Sequence, residues 1–242
     1  MTAETRFYVG TSGWSYSGWR GLFYPHGLPS SEWLKFYSSR FPTVELNASF
    51  YRLPTRQAFR RWHDAVPDDF QFSVKASRYI THIKRLQDVT EPLKTFLVRA
   101  SILEHKLGVI LYQLPPGLVR DDGLLEAFLP MLPQNIRHAI EFRSATWYRD
   151  RVYDILRQYN VAFCVHDFQR QEVPAVGTAD FAYFRFHGTS GRYAGSYSDA
   201  DLDRWAGEIK RIGQGLKAVY AYFNNDIGGE AVNDAVRLSE RM

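Results

Sequence analysis

The segment 183–197, with the sequence YFRFHGTSGRYAGSY, joins charged side chains to a glycine-rich loop. Arg185, His187 and Arg192 lie within eight residues of one another, and phenylalanines alternate with the first two. In a strand, this alternation directs the basic side chains to one face and the apolar rings to the other. A buried cation is unfavourable unless an anion compensates it. The segment therefore predicts a site for an acidic partner or an anionic ligand where this strand ends.

Polar side chains occur at equivalent places near the ends of the other predicted strands. They are Glu45, Asn47, Lys75, Gln113, Glu141, Arg143, His166 and Asn224. Carboxylates, amines and imidazoles are the groups that exchange protons in general acid–base catalysis. The candidate catalytic residues are Glu45, Lys75, Glu141 and His187.

The elements that must position these residues follow a strand–helix alternation. The predicted strands are 7–13, 43–47, 70–77, 109–114, 138–143, 161–168, one that begins at 183, and 217–226. Alternation of strands with helices predicts a parallel sheet. Eight such units predict a TIM-like (β/α)8 barrel of the α/β class in a single domain spanning 1–242, with a doubly wound open sheet as the alternative. No helical pattern separates the sixth and seventh strands, so we expect this unit to lack its helix.

In a barrel, the alternating polar residues lie together on the inner face of the strands. Its apolar strand face meets the surrounding helices, the other face points inward, and active sites form at the carboxyl ends of the strands. We therefore expect Glu45, Lys75, Glu141 and Arg185 to converge at one end of the barrel. Asp167 has the opposite parity, and we expect it to brace the loop after the sixth strand.

The loops suggest a class of ligand. Barrels often bind phosphate with the loops after strands seven and eight and a helix N-terminus, and here those loops read HGTSGRY and NNDIGGE. We expect a small anionic ligand, such as a phosphorylated sugar or a nucleotide, and a hydrolase or isomerase that uses carboxylate general acid–base catalysis. The candidate ligand-binding residues are Trp14, Trp19, Asn47, Gln113, Arg143, Arg185, Arg192, Tyr193 and Asn224.

Three alternative interpretations stay open. The charged residues at the strand ends can instead form a structural ion network. A weaker alternative is a hydrolase that depends on a divalent metal, held by Glu141, His166 and Asp167; the sequence requires no other cofactor. The third is a protein that binds single-stranded nucleic acid through exposed rings and basic residues, without catalysis.

Composition limits the class of protein. The formal charge of +4 is mildly basic, which favours anionic ligands but is less than dedicated nucleic-acid binders usually carry. Cys164 is the only cysteine, so the chain has no internal disulfide and no cysteine-based zinc site. The sequence shows no long apolar run and no signal-peptide pattern at its start. We expect a cytoplasmic protein with no membrane partner.

Several longer motifs resemble a known family. They are GTSGWSYSGWRGLFYP, ELNASFYRLP, KASRYITH, LYQLPP, AIEFRSATW, FRFHGTSGRYAGSYS and YFNND. Together they resemble the YecE-like family, the domain of unknown function numbered seventy-two, and the likeness spans nearly the whole chain. The resemblance implies a TIM-like barrel and no established reaction. Ser144 departs from the pattern, because histidine is often expected there; any chemistry that such a histidine performs elsewhere is missing here.

Overall fold

Eight parallel strands close the barrel. A computed structural model describes residues 4–190 and 193–242, and its strands are β1 (Arg6–Ser12), β2 (Thr43–Leu46), β3 (Gln71–Lys75), β4 (Leu107–Gln113), β5 (Arg137–Glu141), β6 (Val161–His166), β7 (Phe181–Phe186) and β8 (Ala218–Phe223). Each strand pairs with the next, and β8 pairs with β1. The predicted TIM-like barrel is therefore confirmed, and the open doubly wound sheet is excluded.

Helices cover the outside of the barrel. They are α1 (Trp33–Ser38), α2 (Ala48–Tyr51), α3 (Arg56–Asp64), α4 (Thr90–Ala100), α5 (Asp122–Phe128), α6 (Asp150–Gln158), α7 (Asp199–Gly213) and α8 (Glu230–Ser239). The longest, α7, starts with a capping box in which Ser198 and Asp201 exchange hydrogen bonds between side chain and backbone. None of the helices in the described part of the chain combines the length and apolar composition that crossing a membrane requires.

The connection between β6 and β7 lacks an α-helix, as predicted. It consists of a short 3-10 turn, Phe168–Arg170, followed by extended chain. The hydroxyl of Thr178 replaces some of the missing contacts: it accepts a hydrogen bond from the backbone of Phe163 and donates one to the carbonyl of Val161, both at 2.7 Å. The gap in the outer layer opens a cavity of about 690 Å³ between this segment and α7.

The inside of the barrel changes character along its axis. Its lower part is an apolar cluster that includes Leu111, Cys164, Tyr183 and Tyr220. Cys164 is fully buried, and burial raises the pKa of its thiol well above the ordinary value. Above this cluster, at the carboxyl ends of the strands, the inward side chains become charged. The polar residues of the site are thus separated from solvent at the bottom of the barrel by a layer of packed side chains.

Candidate functional site

Arg185 is the centre of a buried ion network. It projects inward from β7, and its side chain is 1% exposed. Its Nη2 donates to Glu45 Oε1 at 2.7 Å, and its Nη1 donates to Glu141 Oε2 at 2.6 Å. Because a guanidinium is costly to bury alone, two carboxylates from other strands are the compensation that the alternating sequence of β7 requires.

The two carboxylates are themselves held in place. Glu45 accepts hydrogen bonds from the hydroxyls of Ser12 at 2.6 Å and Tyr183 at 2.8 Å. Glu141 forms a second close ion pair with Nε of Arg143. Burial alone would raise the pKa of Glu141, but the guanidinium groups of Arg143 and Arg185 hold it well below its ordinary value. Glu141 is therefore a permanent anion in this network at neutral pH.

His187 extends the network toward the loop after β7. Its Nε2 faces Nη2 of Arg143 at 3.1 Å and Nη1 of Arg185 at 3.5 Å. A guanidinium only donates hydrogen bonds, so Nε2 of His187 is an acceptor. Burial and the charges of Arg185 and Arg143 hold the pKa of His187 well below its ordinary value. The ring is thus neutral, and its proton lies on Nδ1, which faces Asp167 Oδ1 at 3.4 Å.

Asp167 braces the loops after β6 and β7. Its carboxylate accepts a hydrogen bond from the backbone N–H of His187 at 2.7 Å and another from the hydroxyl of Tyr197. Burial raises the pKa of Asp167 to about 6. The loop that it braces begins at Gly188 with φ of 96°, where a Cβ would lie 2.2 Å from the carbonyl oxygen of Ala194. Only glycine allows this close fold-back.

Lys75 is the charged residue that the network leaves unpaired. It stands at the end of β3, and its Nζ lies 4.3 Å from the ring centroid of Phe50. Lys75 Nζ forms no ion pair or hydrogen bond with any residue that the structure describes. Burial, followed by the charge of Arg185, lowers the pKa of Lys75 to about 7. Lys75 therefore exists in both protonation states near neutral pH.

A cavity of about 350 Å³ lies directly above the network, and we call it the mouth cavity. Its described lining residues are Phe50, Tyr51, Lys75, Arg78, His82, Gln113, Pro116, Arg143, Phe168, Gln169 and Tyr193. Three of these side chains are cationic types, four are rings of phenylalanine or tyrosine, and none of the described lining residues is Asp or Glu. The arrangement favours a ligand that combines negative charge with a flat or apolar part.

The guanidinium of Arg143 joins the network to the mouth cavity. Its Cζ lies 3.7 Å from the ring centroid of Phe168, so the charged plane stacks on the ring. Nε and Nη2 are directed to Glu141 and His187. Nη1 of Arg143 has no hydrogen-bond partner among the described residues, so this donor is free to contact a ligand in the mouth cavity.

His82 lies on a π-helical turn, Tyr79–Ile83, that follows β3. Its Nδ1 lies 2.9 Å from the hydroxyl of Thr81, and its ring meets Phe50 edge to face at 5.0 Å between centroids. Burial, then the charges of Lys75 and Arg78, lowers the pKa of His82 to about 4. At neutral pH the side chain is therefore a neutral imidazole.

The structure separates the predicted site residues into two layers. Lys75, Gln113, Arg143 and Tyr193 line the mouth cavity. Glu45, Glu141, Arg185 and His187 lie beneath it, fully or almost fully buried. This lower layer matches the ion-network interpretation, because its carboxylates are occupied by guanidinium groups.

Other predicted ligand-binding residues lie elsewhere. Trp14 and Asn47 line a separate cavity of about 600 Å³. Trp19 is 1% exposed and packs among rings that include Tyr16 and Phe23, so it offers no face to a ligand. Asn224 is not among the described lining residues of the mouth cavity. Arg192 lies outside the described residues.

The three weaker metal candidates do not form a metal centre. Both ring nitrogens of His166 are occupied: Nε2 bonds the carbonyl of Phe142 at 2.8 Å, and Nδ1 accepts from the N–H of Phe168 at 3.3 Å. Glu141 is paired with two arginines, and Asp167 is bound by its loop. Among the described residues, one trio of potential ligands lies close enough together to hold an ion. It consists of His63, Glu104 and His105, near the amino end of β4.

Sequence reasoning missed part of the cavity wall. Strand parity does not reach these residues: Phe50 and Tyr51 belong to the short helix α2, and Arg78, His82 and Phe168 lie in the turns that follow β3 and β6. The motif KASRYITH carries Arg78 and His82 directly after β3, and this closeness to a strand end was the available signal. The loop after β8, which was expected to help bind phosphate, contributes none of the described lining residues.

The fold and the site together define a closed (β/α)8 barrel with an arginine–carboxylate network beneath a cationic mouth cavity. A family model described as "Protein of unknown function DUF72" matches residues 8–242, and the chain belongs to this family. The resemblance read from the motifs is thus confirmed.

Relatives of known sequence extend the family assignment. The UPF0759 protein YunF of Bacillus subtilis (strain 168) is 27% identical over 268 residues, which cover 97% of this chain and 94% of the relative. The UPF0759 protein YecE of Escherichia coli (strain K12) is 31% identical over 142 residues, which cover 58% of this chain and 50% of the relative.

Solved structures match the barrel. A DUF72 family protein from Thermotoga maritima MSB8 superimposes with a TM-score of 0.86 at 31% identity, covering 97% of this chain and 98% of that one. A D-psicose 3-epimerase from Clostridium cellulolyticum H10 superimposes with a TM-score of 0.56 at 11% identity, covering 98% and 95%. The second likeness shows a shared fold alone.

Proposed function

We propose that the protein binds a small anionic ligand with a planar part, such as a phosphorylated sugar or a nucleotide, in the mouth cavity. The observation that carries this proposal is the lining: Lys75, Arg78 and Arg143 supply basic groups, and no described lining residue is acidic. Arg143 is partly neutralised by Glu141, whereas Lys75 and Arg78 form no ion pair with any described residue. Two uncompensated basic side chains beside one small cavity favour a ligand with negative charge.

The dimensions of the mouth cavity support a small ligand. Pockets that bind small molecules usually occupy roughly 300–1,000 Å³, and this one is about 350 Å³. The rings of Tyr51 and Tyr193 are 74% and 37% exposed at its rim, where they can stack on a sugar or a base. In the proposed complex, the phosphate of the ligand lies near Lys75 and Arg78, and its planar ring lies between Tyr51 and Tyr193.

Proton transfer in this cavity is assigned to Lys75 and His82 rather than to the two glutamates. A general acid or base must reach the ligand, and Glu45 and Glu141 are both 0% exposed and paired with Arg185. The pKa of Lys75, about 7, suits a group that gives and takes protons at neutral pH. Glu45 and Glu141 then contribute fixed negative charges beneath the cavity, and these charges influence the electrostatic potential at the Lys75 amine.

Calorimetric titration with inorganic phosphate, ribose 5-phosphate and AMP tests the binding proposal. Arg78→Met removes one uncompensated cation from the wall and should weaken the binding of AMP about tenfold, equivalent to about 1.4 kcal/mol. Lys94→Met removes an exposed cation on α4, on the outside of the barrel, and serves as the matched control. Equal affinity of the wild type and both variants for every anion would contradict the proposal.

The same titrations distinguish a polymeric ligand. If single-stranded DNA is the natural ligand, an oligonucleotide should bind much more tightly than AMP, and its affinity should fall steeply with salt as several phosphates lose their counterions. The proposal for a small ligand expects mononucleotides and oligonucleotides to bind with affinities within about tenfold of each other, because one cavity contacts one phosphate.

A further inference from the structure

We propose that the amine of Lys75 is a nucleophile that forms an imine with the carbonyl group of a phosphorylated aldehyde or ketone. The inference rests on the anion binding proposed above and specifies the class of ligand. Lysine amines act as nucleophiles toward carbonyl groups when they are largely desolvated and lack a carboxylate partner. Imine formation by Lys75 requires a free amine in contact with the ligand space, a supply of neutral amine near pH 7, and a partner for the proton transfers.

The first condition is a free amine in contact with the ligand space. Lys75 lines the mouth cavity, and its Nζ has no hydrogen bond or ion pair with a described residue. The nearby carboxylates do not compete for it, because Arg185 binds both Glu45 and Glu141 within 2.7 Å. Among the described residues, the ring of Phe50 lies against the amine, and this ring cannot accept its proton. The lone pair of the neutral amine is therefore not engaged.

The second condition is a supply of neutral amine near pH 7. Burial and Arg185 lower the pKa of Lys75, and Arg143 lowers it further, whereas Glu141 and Glu45 oppose the shift. Arg185 lies on β7, Glu45 lies on β2, and Glu141 ends β5, with Arg143 two residues further on. His82 lies on the turn after β3, and its pKa is lowered in part by the charge of Lys75. With a pKa of about 7, roughly half of the amines are unprotonated at neutral pH, compared with about one in three thousand for an ordinary lysine.

The third condition is a partner for the proton transfers of imine formation. Nζ attacks the carbonyl carbon, the C=O π electrons move to oxygen, and a proton passes from nitrogen to that oxygen to give a carbinolamine. The hydroxyl then takes up a second proton and leaves as water, while the nitrogen lone pair forms the C=N bond and nitrogen gives up its remaining proton, so one water is released for each imine. His82 is neutral, lines the same cavity and contacts Phe50, the ring that also contacts the amine, and we assign its imidazole as the group that relays this proton.

The anion-binding wall sets the specificity of this chemistry. Arg78 and the free Nη1 of Arg143 line the same cavity as Lys75. A phosphate held by these groups brings a carbonyl a few bonds away to the amine as an effectively intramolecular reactant. A simple aldehyde without phosphate lacks this anchor. We therefore expect the amine to discriminate in favour of phosphorylated carbonyl compounds.

Two probes that differ at one group provide the test. Pyridoxal 5′-phosphate carries an aldehyde, a ring and a phosphate, and pyridoxine 5′-phosphate replaces the aldehyde with an alcohol. The wild-type protein is incubated with substoichiometric pyridoxal 5′-phosphate at pH 7.5, reduced with borohydride, and digested for peptide mass mapping. We expect the label at Lys75 to exceed that at the exposed Lys94 at least tenfold, and excess pyridoxine 5′-phosphate to suppress it.

The variants and outcomes separate the two proposals. Lys75→Met should lose the dominant label, whereas Lys94→Met should keep it. If pyridoxine 5′-phosphate binds the wild type but the aldehyde does not label Lys75, the imine proposal is overturned and anion binding stands. If neither probe binds, both proposals fall. Because labelling is mapped on the wild-type protein, the result does not depend on the folding of a variant.

Discussion

Replacing Arg185 with methionine should destabilise the barrel strongly. Methionine fills most of the space but carries no charge, so Glu45 and Glu141 lose their shared cation. Glu141 retains Arg143, whereas Glu45, among the described residues, keeps the hydrogen bonds from the neutral hydroxyls of Ser12 and Tyr183. Leaving one partner of a buried pair uncompensated costs about 3–5 kcal/mol. We expect the free energy of unfolding of Arg185→Met to fall by this amount.

Urea unfolding at equilibrium, monitored by tryptophan fluorescence, measures the loss. The double variant Glu45→Gln/Arg185→Met removes the stranded carboxylate as well, so it should be more stable than Arg185→Met alone. Comparison with Glu45→Gln completes a double-mutant cycle, in which a coupling energy of about 1–3 kcal/mol is expected for groups in direct contact. The slope of unfolding with urea should stay constant, because the same surface is exposed.

The pH dependence of the free energy of unfolding provides a second readout that distinguishes the variant from the wild type. In the wild type, the folded pKa of Glu141 lies well below its unfolded value. Its stabilising contribution is therefore complete above the unfolded pKa and is lost as the pH falls through the folded pKa. In Arg185→Met, Glu141 keeps Arg143 but loses Arg185, so its folded pKa should rise toward the unfolded value, and the deficit relative to wild type should shrink as the pH falls through this range. A deficit below about 1 kcal/mol that does not vary with pH would refute the account of the network.

The remaining predictions concern the amine and the loop after β7. The affinity for pyridoxine 5′-phosphate should decrease as the pH rises through about 7, because Lys75 loses its charge there, and calorimetry of Lys75→Met should show a flat profile across this range. Asp234→Asn weakens a buried carboxylate that accepts hydrogen bonds from Ser196, Asn225 and Arg237, so urea unfolding should show a loss of about 1.5–3 kcal/mol. The exposed Asp203→Asn should change stability by less than about 0.5 kcal/mol.

Strand parity explains how much of this site the sequence predicts. In a closed barrel, one face of every strand must point inward, so the positions of Glu45, Glu141 and Arg185 follow from alternation with apolar neighbours. Which carboxylate pairs with which guanidinium does not follow, because these residues are about 40 to 140 positions apart and meet only after the barrel closes. Strand parity therefore predicts that these side chains lie in the charged layer inside the barrel, whereas the ion pairs between them are determined by the tertiary fold.

Loops lack such a rule, and the largest differences from expectation lie there. Trp19, a predicted ligand-binding residue, contacts Tyr16, Phe23 and Tyr24 and becomes buried. His82 enters the mouth cavity because Tyr79–Ile83 adopts a π-helical turn, a rare conformation that local propensity does not predict. Both outcomes depend on contacts with distant segments.

The ion pairs that Arg185 forms across the inside of the barrel have a mechanical consequence. A barrel resists distortion through hydrogen bonds between adjacent strands, and these bonds do not prevent its end from flattening into an oval. Arg185 ties β7 to β2 and β5, neither of which is its neighbour in the sheet, so one side chain acts as a brace across the opening. A barrel whose end is braced in this way loses little conformational freedom when a ligand binds there. The brace lies within the barrel itself, so the proposed ligand would meet an opening whose shape is already fixed.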